Sequence, residues 1–230
     1  MTKIYLIAEQ VLYEELAKDD ANYLVTSGYV LIIRIDWIFS HDLEEIFERK
    51  FGFNTHLHVD PTKSEMLKLL KETAEQDFSS CACFVCLIRG LYGSKDGIYG
   101  KDGEVISLDA ITSLFSQNKC PSLKGKPKIF LIEAFQIGDK VSGSDPSSSL
   151  TVSEADFLVN YATPEMEKRF SRFGFMSAVN HVFEGYSGKE DLVNMMMRVN
   201  KLTTKSYSAS KMQSPTLIST LTKKVFFKPR

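Results

Sequence analysis

Lys128-Ile129-Phe130-Leu131-Ile132-Glu133-Ala134 is a short run in which apolar residues follow one another instead of alternating with polar ones. That pattern, rich in β-branched and aromatic side chains, predicts a strand buried on both faces. Tyr29 to Ile35 and Cys83 to Ile88 read the same way upstream, and Phe157 to Tyr161 downstream. Thr55 to Val59 alternates like a further strand. Helical spacing lies between and after these runs: Asp42 to Phe51, with Asp42 as N-cap, Thr62 to Asp77, Phe175 to Phe183, and Glu190 to Leu202. Buried strands alternating with helices predict an α/β fold, a mostly parallel sheet covered on both faces.

Two Asp-Gly pairs, Asp96-Gly97 and Asp102-Gly103, favour tight turns and predict a small antiparallel hairpin within Gly93 to Ile106. Gly138 to Thr151 is rich in Gly, Ser and Pro and reads as a linker. Neither side of it carries a full set of strands, so one sheet spanning the linker is expected. Thr216 to Phe227 closes the chain as one long strand. Its faces alternate, with Thr216, Ile218, Thr220 and Thr222 on one side and Leu217, Ser219, Leu221 and Lys223 on the other.

The 230 residues carry a net charge of −1, which gives no pull toward nucleic acid or anionic membranes. No run of about 18 apolar residues predicts a membrane span. The N-terminus turns acidic too soon for a signal peptide. A cytoplasmic protein with four reduced cysteines is expected.

No cofactor and no metal is implied by the residues. Cys81, Cys83 and Cys86 would not converge if they lie on one strand, and small buried thiols are common in cores. His56 and His58 share a strand face but lack a third ligand nearby. The glycines between Gly90 and Gly103 match neither phosphate-loop pattern. Residue reading alone ends at an α/β domain with no visible catalytic set.

Several collinear segments resemble caspases. Gly28 to Ile33 resembles the first strand, and Phe84-Val85-Cys86-Leu87-Ile88-Arg89-Gly90 the strand that ends in Ser-His-Gly. Gly97 to Gly103 resembles the following hairpin and Leu108 to Phe115 the next helix. The longest match is Cys120-Pro121-Ser122-Leu123-Lys124-Gly125-Lys126-Pro127-Lys128-Ile129-Phe130-Leu131-Ile132. Glu133-Ala134-Phe135-Gln136-Ile137 stands where caspases carry Gln-Ala-Cys-x-Gly, and Glu154 to Leu158 resembles the start of the small subunit. Met197 to Asn200 and Pro215 to Phe227 resemble that subunit's later helix and final strand.

The resemblance implies a three-layer α/β/α sandwich with about six central strands and an antiparallel edge strand. It implies a short N-terminal segment (1–27) with no death-fold prodomain, a large-subunit-like part (28–137), a linker (138–151) and a small-subunit-like part (152–230). It sets Arg89 at the histidine position and Phe135 at the cysteine position. These lie 46 positions apart, close to the family's spacing of about 50. Phenylalanine has no nucleophilic atom and a guanidinium does not shuttle protons near neutral pH.

No catalytic residue and no enzyme activity is therefore expected. Glu133 replaces the glutamine of the substrate pocket, the loop that carries one pocket arginine is shortened, and Arg169 is the candidate for the second. The pattern resembles a decoy caspase of insect, mosquito-like type. Such a chain is expected to regulate apoptosis by heterodimerising with an active caspase through Thr216, Leu217, Ile218, Ser219, Thr220, Leu221 and Thr222, with activation favoured over inhibition. A homodimer is the other pairing, and a non-dimerising decoy that sequesters caspase inhibitors or substrates is the alternative function. No small-molecule substrate is expected. Asp139 and Asp145 are the candidate cleavage positions in the linker.

Overall fold

The computed structural model describes residues 22–35, 45–92, 97–136, 152, 154–164, 174–206 and 214–230. Its centre is the strand read first from the sequence. β7 (Lys128–Gln136) is buried at all but its last residue. It runs parallel to β4 (Cys83–Tyr92) on one side and to β8 (Phe157–Ala162) on the other. β4 pairs with β2 (Gly28–Arg34), and β2 with β3 (Asn54–Val59), again in parallel. β9 (Thr216–Ser219) closes the far edge antiparallel to β8, giving the order β3-β2-β4-β7-β8-β9. The expected mostly parallel sheet with an antiparallel edge strand is thus present.

Because successive strand residues point to opposite faces, the run of apolar residues divides into two cores. Val30, Ile32, Val85, Leu87, Ile129 and Leu131 face helices α3 (Phe175–Tyr186) and α4 (Leu192–Ser206). Leu31, Ile33, Cys86, Ile88, Phe130 and Ile132 face α1 (Lys63–Ala74) and α2 (Leu108–Ser113). Thr62 caps α1 through its side chain, and Glu65 returns a bond to the Thr62 amide, a reciprocal capping box. Asp191 Oδ1 accepts from the amides of Val193 and Asn194 and so opens α4. Met195 and Met196 are fully buried and Met197 is exposed, as three consecutive helical positions require.

The helix expected over Asp42 to Phe51 is seen as a π-helical turn, Phe47–Phe51, ended by Gly52 in the left-handed region (φ 65). Asp42 lies outside the described residues. Lys50 Nζ donates to the carbonyls of Phe183 and Glu184 at the end of α3, which fastens this turn to the helix. Residues 98–106 form the expected hairpin, β5 (Ile98–Tyr99) against β6 (Val105–Ile106), with positive φ at Gly97 and Gly103. Tyr92 of β4 pairs with Ile98, so β4 runs four residues past the predicted end at Ile88.

The single C-terminal strand predicted from Thr216 to Phe227 is corrected. It breaks into β9 and β10 (Val225–Phe227), and β10 leaves the central sheet to pair in parallel with β1 (Tyr23–Val25). Side-chain hydrogen bonds cause the break. Thr220 Oγ1 donates to the Glu154 carbonyl at 2.6 Å and accepts from the Phe157 amide at 3.1 Å. Thr222 Oγ1 donates to Asp156 Oδ1 at 2.6 Å, and the Thr222 amide to the same oxygen at 3.2 Å. These bonds offer the backbone a partner other than a ladder. β9 therefore ends at Ser219: Thr220 still bonds its backbone to Phe157 and Asp156, and Leu221 and Thr222 lie beyond the strand edge to which sequence reading assigned them.

β10 is anchored by Phe227, fully buried among the rings of Phe47, Phe51, Phe53 and Phe183, with centroids 5.1 to 6.4 Å away. Phe227→Ala should lower unfolding free energy by about 3–5 kcal/mol, measured by urea denaturation. Half-buried Phe226→Ala should cost about 1 kcal/mol or less.

Candidate functional site

Parallel strands present their carboxyl ends together, and in open α/β sheets that end is where ligands bind. Here β2, β4 and β7 are in register near their carboxyl ends: Arg34 opposite Arg89, and Arg89 opposite Glu133. Neighbours in register share a face, so these three charged side chains form a row across the end of the core that holds α3 and α4.

Glu133 is 1% exposed, a costly place for a carboxylate without partners. Both of its oxygens are bonded. Oε2 accepts from Arg89 Nε at 3.1 Å, and Oε1 accepts from the Phe175 amide at 2.9 Å. Phe175 is the first residue of α3, whose N-cap, Gly174, has no side chain to offer. Glu133 therefore caps that helix from the neighbouring strand, where the helix dipole also favours a negative charge. The Arg89 guanidinium lies 5.2 Å from the centre of the Phe135 ring, within the range of a cation–π contact. Positions 89 and 135, aligned by resemblance with histidine and cysteine, are thus neighbours, and both are sheltered: Phe135 is 1% exposed. Gly90 follows Arg89 with little free space, since an added Cβ would sit 3.3 Å from Ile98 Cγ2.

Arg34 was missed by sequence reading. Its one signal was a charged residue inside the apolar run Tyr29 to Ile35. The link from Glu133 to α3 was missed too, although a glycine before a helix leaves an amide in need of an acceptor. Arg169, Asp139 and Asp145 lie outside the described residues.

The other candidates are scattered. Cys83 and Cys86 are fully buried on opposite faces of the sheet, and burial pushes both thiols far up. Cys81 precedes β4 and packs with the α1 core, apart from Cys83. His56 stacks on Tyr29 at 4.5 Å, and His58 is held below its usual value by burial. Among the described residues no cluster of three or more His, Cys, Asp or Glu side chains could hold a metal. No helix among them is long and apolar enough to cross a membrane.

At the far end of the sheet, β9 gives one edge to β8 and has no strand on the other among the described residues. Leu217 packs toward the α3–α4 core, Ile218 toward the α1–α2 core, and Ser219 is exposed. Of the seven predicted interface residues, only Thr216 to Ser219 lie on this edge.

Residues 40–226 match the family model of the caspase domain. The chain is 29% identical over 212 residues to caspase-7 of Gallus gallus, covering 81% of this chain and 68% of that protein. It is 32% identical over 188 residues to caspase-3 of Oryctolagus cuniculus, covering 73% and 67%. The solved structure of pro-sf-caspase-1 superposes with a TM-score of 0.75 at 20% identity, covering 91% of this chain and 95% of that one.

These comparisons correct one expectation. The chain was expected to be no enzyme, but the proteins it matches are caspases, members of a peptidase family.

Arg89→Met should destabilise the protein by about 3–5 kcal/mol, because it strands a buried carboxylate. Adding Glu133→Gln should restore most of the loss. A double-mutant cycle followed by urea unfolding measures both.

Proposed function

Since the chain belongs to the caspase family, we propose that it regulates apoptosis in the cytoplasm by pairing with an active caspase through the outer edge of β9, modulating the partner's activity. One observation carries the reading: β9 is an edge strand of β-branched and apolar residues, and no strand among the described residues covers it. An open edge of this kind is a template for another strand. Antiparallel pairing across a two-fold axis would extend the sheet from one subunit into the next. A strand docked there is separated from β7 by β9 and β8 and continues the same sheet. Because the fold-bearing segments are intact, this chain can give an active partner the edge it pairs with, and activation of the partner is favoured over inhibition on this ground.

In this reading residues 28–137 and 152–230 are the two subunit-like parts of one caspase domain, joined by a linker at 138–151. Asp139 and Asp145 are its candidate cleavage positions. Arg89 and Phe135 act as a structural pair, and Glu133 and Arg169 mark the altered substrate pocket. The cytoplasmic setting is supported by the four free thiols. The pairing does not depend on any peptidase activity of the chain itself.

The test is a titration of this protein into a fixed amount of an active caspase from the same source, following cleavage of an Asp-containing peptide, with the chain alone assayed alongside. A saturable change in rate is expected, and Leu217→Asp or Ile218→Asp should remove at least about nine-tenths of it, since a charge placed on an apolar interface opposes association. No change at any ratio would sink the pairing, whatever rate the chain shows alone.

A further inference from the structure

We propose that Arg34 anchors an anion site at the carboxyl end of the sheet, and that the ligand is a phosphate-class oxyanion. The backbone here is fixed on both sides. The Arg34 carbonyl accepts from the Asp60 amide at 2.7 Å, and the next amide, Ile35, donates to the Arg89 carbonyl at 2.8 Å. The side chain is half-buried, and its Nε and Nη1 atoms are out of contact with solvent and have no hydrogen-bond acceptor among the described residues. A buried lysine could lose its proton, but a guanidinium keeps its charge. An enclosed, permanent cation has to be matched by an anion. No described residue supplies one: the carboxylate in the same row, Glu133, gives one oxygen to Arg89 and the other to the Phe175 amide. Arg34 makes no ion pair with any described residue.

Three features select the ligand. The site is at the carboxyl ends of parallel strands, where open α/β sheets take their ligands. A second guanidinium, that of Arg89, lies one strand away in register but is already answered by Glu133, so the row carries a net charge of +1 and matches a singly charged oxyanion such as dihydrogen phosphate. A planar fork of N–H donors suits phosphate oxygens in particular. The site stands apart from the pairing proposed at β9 and holds with or without it.

The experiment is a thermal-shift titration of the whole chain with inorganic phosphate, against acetate and chloride at equal ionic strength. Phosphate should raise the melting temperature saturably, and Arg34→Gln should weaken its apparent affinity at least tenfold. Arg49→Gln, which alters an exposed arginine paired with Glu184, should leave the affinity unchanged. An O-phosphoserine arm separates the sources: a shift equal to that of phosphate supports a phosphoryl group carried on a side chain, and a much smaller one supports free phosphate. If Arg34→Gln does not fold, phosphorus-31 line broadening compares the native chain with Arg34→Lys, expected to bind several-fold more weakly. Equal shifts from all three anions, or affinity unchanged on altering Arg34, overturns the proposal.

Discussion

A parallel sheet has to be covered on both faces, because each crossover between its strands lays chain across one face or the other. That constraint reaches every level of this molecule. It requires β2, β4, β7 and β8 to be apolar on both sides, which leaves charge a place only at strand ends. Lys128 opens β7, while Arg34, Arg89 and Glu133 lie near the carboxyl ends of their strands. The charged row is where it is because nowhere else in these strands could hold it.

Within that row the carboxylate of Glu133 acts as a joint. It ties β7 to β4 through Arg89 and ties the sheet to α3 through the Phe175 amide. A neutral amide side chain there could make similar contacts, but it would not answer the charge of Arg89 or the positive end of the helix. Residues 89 and 133 are coupled as cation and anion, and residue 135 covers the cation with its ring. Three positions that a motif comparison treats separately are physically one unit.

The central fold was legible because it rests on local apolar runs. Lys128 to Ala134 could be read alone. What escaped depended on distant partners. Thr216 to Phe227 has the β-branched pattern of a strand throughout, and the bonds that end it, from Thr220 to Glu154 and Thr222 to Asp156, each span 66 residues. Arg89 to Tyr92 looks like a loop in sequence, with its charge and glycine, but β7 and the hairpin draw it into the ladder. Glu133 was read as a pocket residue, since nothing local reveals that a helix would begin against it. Arg34 gave only its charge within an apolar run as a signal, because its lack of a partner among the described residues depends on where distant carboxylates such as Glu133 are bonded.

The pairing of β1 with β10 has a mechanical consequence. The two strands run parallel, with Tyr23 beside Val225 and Val25 beside Phe227. A force pulling the chain before Tyr23 away from the chain after Phe227 therefore runs along both strands. It loads their hydrogen bonds together, in shear, and cannot peel them apart one at a time. Phe227, locked among four other rings, has to be drawn out of the core in the same event. Under such tension the load falls first on the contact between β1 and β10, and the sheet behind it bears none until that contact fails.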